Sequence, residues 1–176
     1  GTINSNEAFE NVTVNHAGTS TLGAAMTAEG NLTITAGTLD TSSGNNYGIT
    51  VGGTWLITGT FTAQLGTVTF NATVTGKTIT SGGSSFRAFN FNGVGGGWTL
   101  QDATTVSNVL NIFAGTLNGG SVTLTLSGTT GTPINNEGTF TASTGTVTYT
   151  GNNGVGNTTV SSTTFGVTYN NLILNN

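Results

Sequence analysis

The chain has 176 residues, of which 5% are charged, against about 25% in ordinary soluble domains. Lys77 and Arg87 are the only Lys or Arg, the formal net charge is −4, and there is no Cys. Displacing counterions from phosphates takes Lys and Arg, so nucleic acid and basic membrane-surface patches are excluded as partners, and thiolate metal sites and disulfides are absent.

Solubility must rest on neutral polar groups, and 40 Thr with many Asn, Ser and Gly supply them. Thr is β-branched and fits a half-buried pleated surface. Turns must be frequent and glycine-built, with 29 Gly and the single Pro133. No run approaches the roughly 18 apolar residues of a membrane-spanning helix, so no membrane insertion is expected. The first residue is not Met and no signal peptide is visible, which reads as a processed product or an excerpt. Low charge and a Thr/Asn-rich β composition point to an extracellular or cell-surface location.

Residues 1–8 read as an extended lead-in. From Asn11-Val12-Thr13-Val14-Asn15 onward, polar and apolar residues alternate in short strand-like pairs. The pairs are Val12/Val14, Leu32/Ile34, Ile49/Val51, Val68/Phe70, Phe89/Phe91, Leu110/Ile112, Leu124/Leu126, Val147/Tyr149 and Leu172/Leu174. They recur unevenly, closest together at Leu110 and Leu124 and widest apart at Val147 and Leu172. Clusters of Gly, Asn and Ser separate them and supply the left-handed conformations of turns.

A longer period contains this one. Gly59–Phe70, GTFTAQLGTVTF, returns without a gap as Gly138–Tyr149, GTFTASTGTVTY. Ala36-Gly37-Thr38-Leu39 returns as Ala114-Gly115-Thr116-Leu117, and Phe86 as Phe165, at almost the same distance. The chain therefore reads as a single domain, 1–176, with a first repeat at 9–85, a second at 86–164 and the start of a third at 165–176. Strands about every 20 residues with no helical pattern between them predict an all-β fold, a parallel β-solenoid of about nine coils. At ~4.8 Å per strand such a rod is on the order of 40 Å long. The inward positions are the pairs above, with Trp55/Ile57, Val74, Ile79, Trp98/Leu100 and Val160 on the other faces. An antiparallel sandwich, which expects turn signals every 8–12 residues or so, is the alternative.

The pattern G-T-F-T-A-x-x-G-T-V-T-[FY], a polar loop, then F-x-x-[FVL]-x-[FVL]-N resembles the β-strand repeats of large bacterial cell-surface and adhesin-like proteins. The resemblance spans nearly the whole chain. It implies an extracellular structural or adhesive role and carries over no catalytic residue, cofactor or ligand.

Residue chemistry adds little to this. Glu7, Glu10, Glu29, Asp40, Asp102 and Glu137 form no paired motif for acid–base work, and Asp40 aligns with Asn118. His16 is the only His and stands at a turn after the first strand, a poor metal site without Cys. Gly93–Gly97 lacks the Gly-Lys-Ser/Thr ending of a phosphate loop and reads as a turn. No catalytic, cofactor or metal residues are assigned, and the chain is not expected to be an enzyme. Trp55 aligns with Ile134 and reads as core. Trp98 aligns with Ser20 and is the candidate for an exposed platform stacking on glycans. Thr-x-Thr pairs such as Thr67/Thr69, Thr123/Thr125 and Thr146/Thr148 are similar to the ladders of ice-binding solenoids, though outward Thr on any strand gives the same pattern. Asn11, Asn31, Asn71 and Asn157 open N-x-[ST] sequons, candidate glycan attachment sites in a glycosylating organism. Finally, neither end carries a polar or helical cap, and terminal coils expose unpaired backbone groups. The expected partner is therefore the protein itself, stacking head to tail through Val12 and Val14 at one end and Phe165, Leu172 and Leu174 at the other, with glycans as the other candidate partner.

Overall fold

The computed structural model describes residues 1–4, 6–129, 131–151 and 167–175. Phe165, Asn157 and Val160 lie outside the described residues. Among those described there is no helix, and the strands pair in parallel. The chain is a three-faced β-solenoid of about seven coils.

The faces follow from the alternation. On the first face, the segments 8–9, 26–28, 49–51, 67–70, 88–91, 109–112 and 134–136 stack in order. The second face takes 12–15, 32–36, 55–57, 77–80, 97–100, 116–118 and 139–141, with an isolated bridge from Thr141 to Thr168. The third takes 2–3, 19–22, 38–40 and 60–62, then 85–86, 104–106, 123–126, 146–149 and 171–174. Most segments bury apolar residues inward and turn Thr or Asn outward, because successive side chains on a strand point to opposite faces; Leu56 faces outward in Trp55–Ile57, and Asn136 is buried inward in Ile134–Asn136. The register superimposes like on like. One inward column of the first face reads Met26, Ile49, Val68, Phe89, Leu110, Ile134, and the other Ala28, Val51, Phe70, Phe91, Ile112, Asn136.

The count of nine coils needs correction, and the reason lies in the faces. The nine apolar pairs do not form one column. Val12 and Leu32 belong to the second face, Ile49, Val68, Phe89 and Leu110 to the first, and Leu124, Val147 and Leu172 to the third. The two short steps, Leu32 to Ile49 and Leu110 to Leu124, are the places where the series jumps to another face before a full coil is complete. Coil length itself varies within the first face. The coils from Phe9 to Ala28 and from Ile49 to Val68 are equally short, and the longest runs from Ile112 to Asn136.

The same arithmetic changes the meaning of the long repeat. From Thr60–Thr62 to its equivalent Thr139–Thr141, the chain lays down eleven strand segments, which is three coils and two thirds. Each repeat is thus turned by one face relative to the one before. Phe61 packs under the third face and Phe140 under the second, while Val68 lies in the first face and Val147 in the third.

The core is one continuous cluster running the length of the rod. Of the expected inward residues, Val14, Leu32, Ile34, Val68, Phe70, Phe89, Phe91, Leu110, Ile112, Val147 and Tyr149 are buried, whereas Val12 in the first coil is only partly so. Val74, expected inward on another face, is exposed instead, in the turn segment before Lys77–Thr80. At mid-rod the aromatic rings meet. Phe86 stacks on Phe89 at 4.1 Å and Phe70 on Phe91 at 5.3 Å, and Trp98 stands edge-on to Phe91 at 5.2 Å. Trp55 closes the group, edge-on to Phe61 at 4.9 Å.

Candidate functional site

Trp98 is buried, with 1% of its surface exposed, and does not offer a stacking platform. The alignment with Ser20 misleads because Ser20 is itself buried and sits in an inward column, on Leu39 of the next coil. Trp98 lies in the second face between Lys77 and Leu117, its ring turned toward the aromatic cluster. Trp55 is fully buried.

Two of the carboxylates are spent on turns. Asp102 accepts from the backbone N–H of Ser81 and Gly82, both at 2.7 Å, and from the Ser81 hydroxyl. The Asp40 carboxylate accepts the N–H of Ser42 two residues on at 2.7 Å, and Asn118, its repeat equivalent, accepts the N–H of Gly120 at 2.8 Å. What differs between the copies is charge; what is kept is a side-chain oxygen that closes the turn. The Gln64 amide also donates to Asp40. His16 is exposed and its Nε2 lies 2.7 Å from the Ser20 hydroxyl. Among the described residues no three His, Asp or Glu side chains gather as a metal site would require.

The sequon asparagines Asn11, Asn31 and Asn71 are exposed, and the first two hold neighbouring coils together. Asn11 Oδ1 accepts the N–H of Asn31, and Asn31 Oδ1 accepts the N–H of Thr54, both at 2.8 Å. A second asparagine ladder is not apparent from the sequence: Asn111 Nδ2 donates to Asn90 Oδ1, and Asn135 Nδ2 to Asn111 Oδ1, each at 2.8 Å along the outward side of the first face. Asn90, Asn111 and Asn135 each stand between two inward positions, a signal that can be used only once the register is known. Outward threonines also align. Thr19/Thr21, Thr38/Asp40 and Thr60/Thr62 stack on the third face, interrupted by Asp40, and further along Thr123/Thr125 lie over Thr146/Thr148.

At the C-terminal end, Asn171–Leu174 pairs with Thr146–Tyr149, and among the described residues its outer edge has no pairing. Leu172, Ile173 and Leu174 are 42%, 49% and 56% exposed. At the other end Ile3, Phe9 and Val12 are partly buried against the core. Val14 is 4% exposed within its own coil and has little surface left to offer a neighbour, because Val14 points inward above Ile34. Beneath the last described coil the Tyr149 and Tyr169 hydroxyls meet at 2.7 Å, and burial pushes both phenols above their ordinary range.

One lateral feature stands apart from these. An open groove of about 530 Å³ runs over the corner between the first and second faces, bordered by Thr75, Gly96, Phe113, Gly115, Glu137 and Thr139. A smaller one of about 210 Å³ continues from it past Thr75 and Thr116 toward Asn118. The corner is concave because its turn is built of glycine. Gly115 has φ +81°, and a Cβ there would meet the Gly93 carbonyl oxygen at 2.5 Å. Phe113, 44% exposed, is an extra residue in the ladder, since Phe91 pairs with Ile112 and Asn92 already with Ala114. Strict alternation has no place for a bulge, so Phe113 does not stand out in the sequence.

No family model, curated protein or solved structure matches the chain.

Proposed function

We propose that this chain is a non-catalytic structural rod of an extracellular or cell-surface protein, a filament subunit or a length of an adhesin. In this reading its coils continue head to tail, on a second copy or on further coils of the same polypeptide. The observation that carries it is the strand Asn171–Leu174, which among the described residues is paired on one side only, with Leu172 and Leu174 continuing the inward columns of Val147 and Tyr149 yet 42% and 56% exposed. An open, apolar strand edge is a template for another strand. Ile3, Phe9 and Val12 at the opposite end are partly uncovered in the complementary position. The strands run parallel, so a following coil adds with the same polarity, and a contact between unlike ends does not close on itself and builds an open fibre.

Sedimentation velocity over a rising concentration series, with electron microscopy of the same samples, tests this. Axial stacking yields rods that lengthen with concentration and are indifferent to salt, since hardly any charge is available to be screened. A double change, Leu172→Lys with Leu174→Lys, places charge in the two inward columns of the end strand and is expected to leave monomers. Wild-type protein that stays monomeric at high concentration, or that associates side by side, overturns the proposal.

A further inference from the structure

We infer that the groove beside Phe113 binds a neutral oligosaccharide, with Phe113 as the platform under a sugar ring and Glu137 as an acceptor for its hydroxyl groups. This site lies on the side of the rod and does not depend on axial stacking.

The first support is the bulge. Bulges re-aim a side chain and collect beside functional sites. The other repeat has the same bulge at Thr35, between the pairs Val14–Ile34 and Asn15–Ala36. There the extra residue serves the fold, because the Thr35 hydroxyl donates to the Val14 carbonyl at 3.3 Å. Phe113 cannot make that bond, and Ile112 beside it already fills the inward position. The Phe113 residue, 44% exposed, thus stands at a position where Thr serves the backbone in the other repeat.

The second support is the composition of the groove. Gly96, Gly115 and Gly138 contribute to its lining, and packing on the neighbouring coil keeps them glycine, since a Cβ at any of the three would meet a backbone carbonyl oxygen at 2.7 Å or less. Thr75, Thr116 and Thr139 add hydroxyls around it, and Glu137 is the one charged residue of the lining. Its counterpart in the first repeat is Thr58, so ring and carboxylate both belong to this copy alone. With no cation in the lining, an anionic ligand has no partner here. A pyranose presents an apolar C–H face for an aromatic ring and a rim of hydroxyls for a carboxylate, whose bonds to O–H donors are stronger than neutral ones. A groove open along its length suits a chain of such rings better than an enclosed small molecule.

The experiment is a binding screen of the full chain against immobilised neutral oligosaccharides, namely hexamers of glucose, mannose, galactose and N-acetylglucosamine, with calorimetry on any that bind. Saturable binding to at least one is expected, weakened about tenfold or more by Phe113→Ala, several-fold by Glu137→Gln, and restored by Phe113→Trp. All three variants change an exposed or partly exposed side chain and should melt with the wild type, which separates lost binding from lost structure. Absence of binding to every hexamer, binding that Phe113→Ala leaves intact, or binding confined to sulfated or uronic-acid polymers overturns the inference.

Discussion

Phe91→Ala tests the mid-rod core most directly. Phe91 is fully buried beneath the first face. Its ring stacks on Phe70 at 5.3 Å and meets Phe89 edge-on at 4.8 Å and Trp98 at 5.2 Å. Truncating a buried Phe costs about 3–5 kcal/mol through lost transfer energy and the cavity left behind. Three aromatic neighbours, each a pair worth about 0.5–1.5 kcal/mol beyond its buried area, place this site toward the upper end, near 4–5 kcal/mol. Collapse of the cavity is hindered because the neighbours above and below are held in register by the ladders from Thr67–Phe70 and to the segment 109–112. For a chain of this size roughly 2–4 °C of melting temperature goes with each kcal/mol, so a fall of roughly 10–15 °C is expected in thermal unfolding followed by circular dichroism. Leu172→Ala, at the exposed end strand, is the internal control and should cost about 1 kcal/mol or less, in keeping with its partial burial. If Phe91→Ala costs no more than Leu172→Ala, the stacked aromatic columns are not what holds the rod together.

Two further outcomes follow from local geometry. Gly115→Ala forces a Cβ against the Gly93 carbonyl at φ +81°, and a cost of about 1–3 kcal/mol is expected in denaturant unfolding; a neutral Gly115→Ala would mean that the corner relaxes without strain. The tyrosine pair makes stability fall in alkali. Because burial raises the folded phenol of Tyr149, the unfolded chain releases its proton first, so stability is full below about pH 10 and declines above it, by up to about 1.4 kcal/mol per pH unit from this residue. Denaturant titrations from neutral to strongly alkaline pH should show that slope in the wild type and its reduction in Tyr149→Phe; an unchanged slope in the variant refutes the assignment.

How much of this is legible in the sequence depends on which period is read. Alternation at Val68/Phe70 or Leu110/Ile112 identifies strands and their inward sides without any structure, and the absence of helical patterns leaves a parallel stack as the economical arrangement. Face assignment is another matter. A three-faced coil closes after three strands, and Leu32 and Ile49 look like consecutive coils until their ladders place them on different faces. Trp98 is misjudged and Phe113 passes unnoticed for a related reason: exposure is decided by register and by a bulge, and neither is visible in a single strand's pattern. The long repeat hides the same information, because eleven strands do not fill a whole number of three-strand coils.

That mismatch has a physical consequence for the surface. A strand stacks on the strand three before it, so a rotated repeat still meets apolar columns of the right kind, and the core continues unbroken while the exterior turns. The bulge at Thr35 lies at the corner between the second and third faces, and the bulge at Phe113 at the corner between the first and second. Equivalent corners of successive repeats therefore point in different directions. An array extended by the same unit would bring a bulge corner back to the same side only after three repeats, which is eleven coils. At ~4.8 Å per coil such corners would recur about every 50 Å on any one side of the rod and about every 18 Å around it. If the groove beside Phe113 binds sugar chains, a longer rod built this way presents its sites in a helical series rather than on one face. A short glycan could then not engage neighbouring sites at once, and affinity should not rise with repeat number for such ligands. Binding of a hexamer to proteins carrying one and three Phe113-type corners checks this. Equal affinity per site is the expected result, and a strong avidity gain for the hexamer would place the corners on one side and refute the rotation.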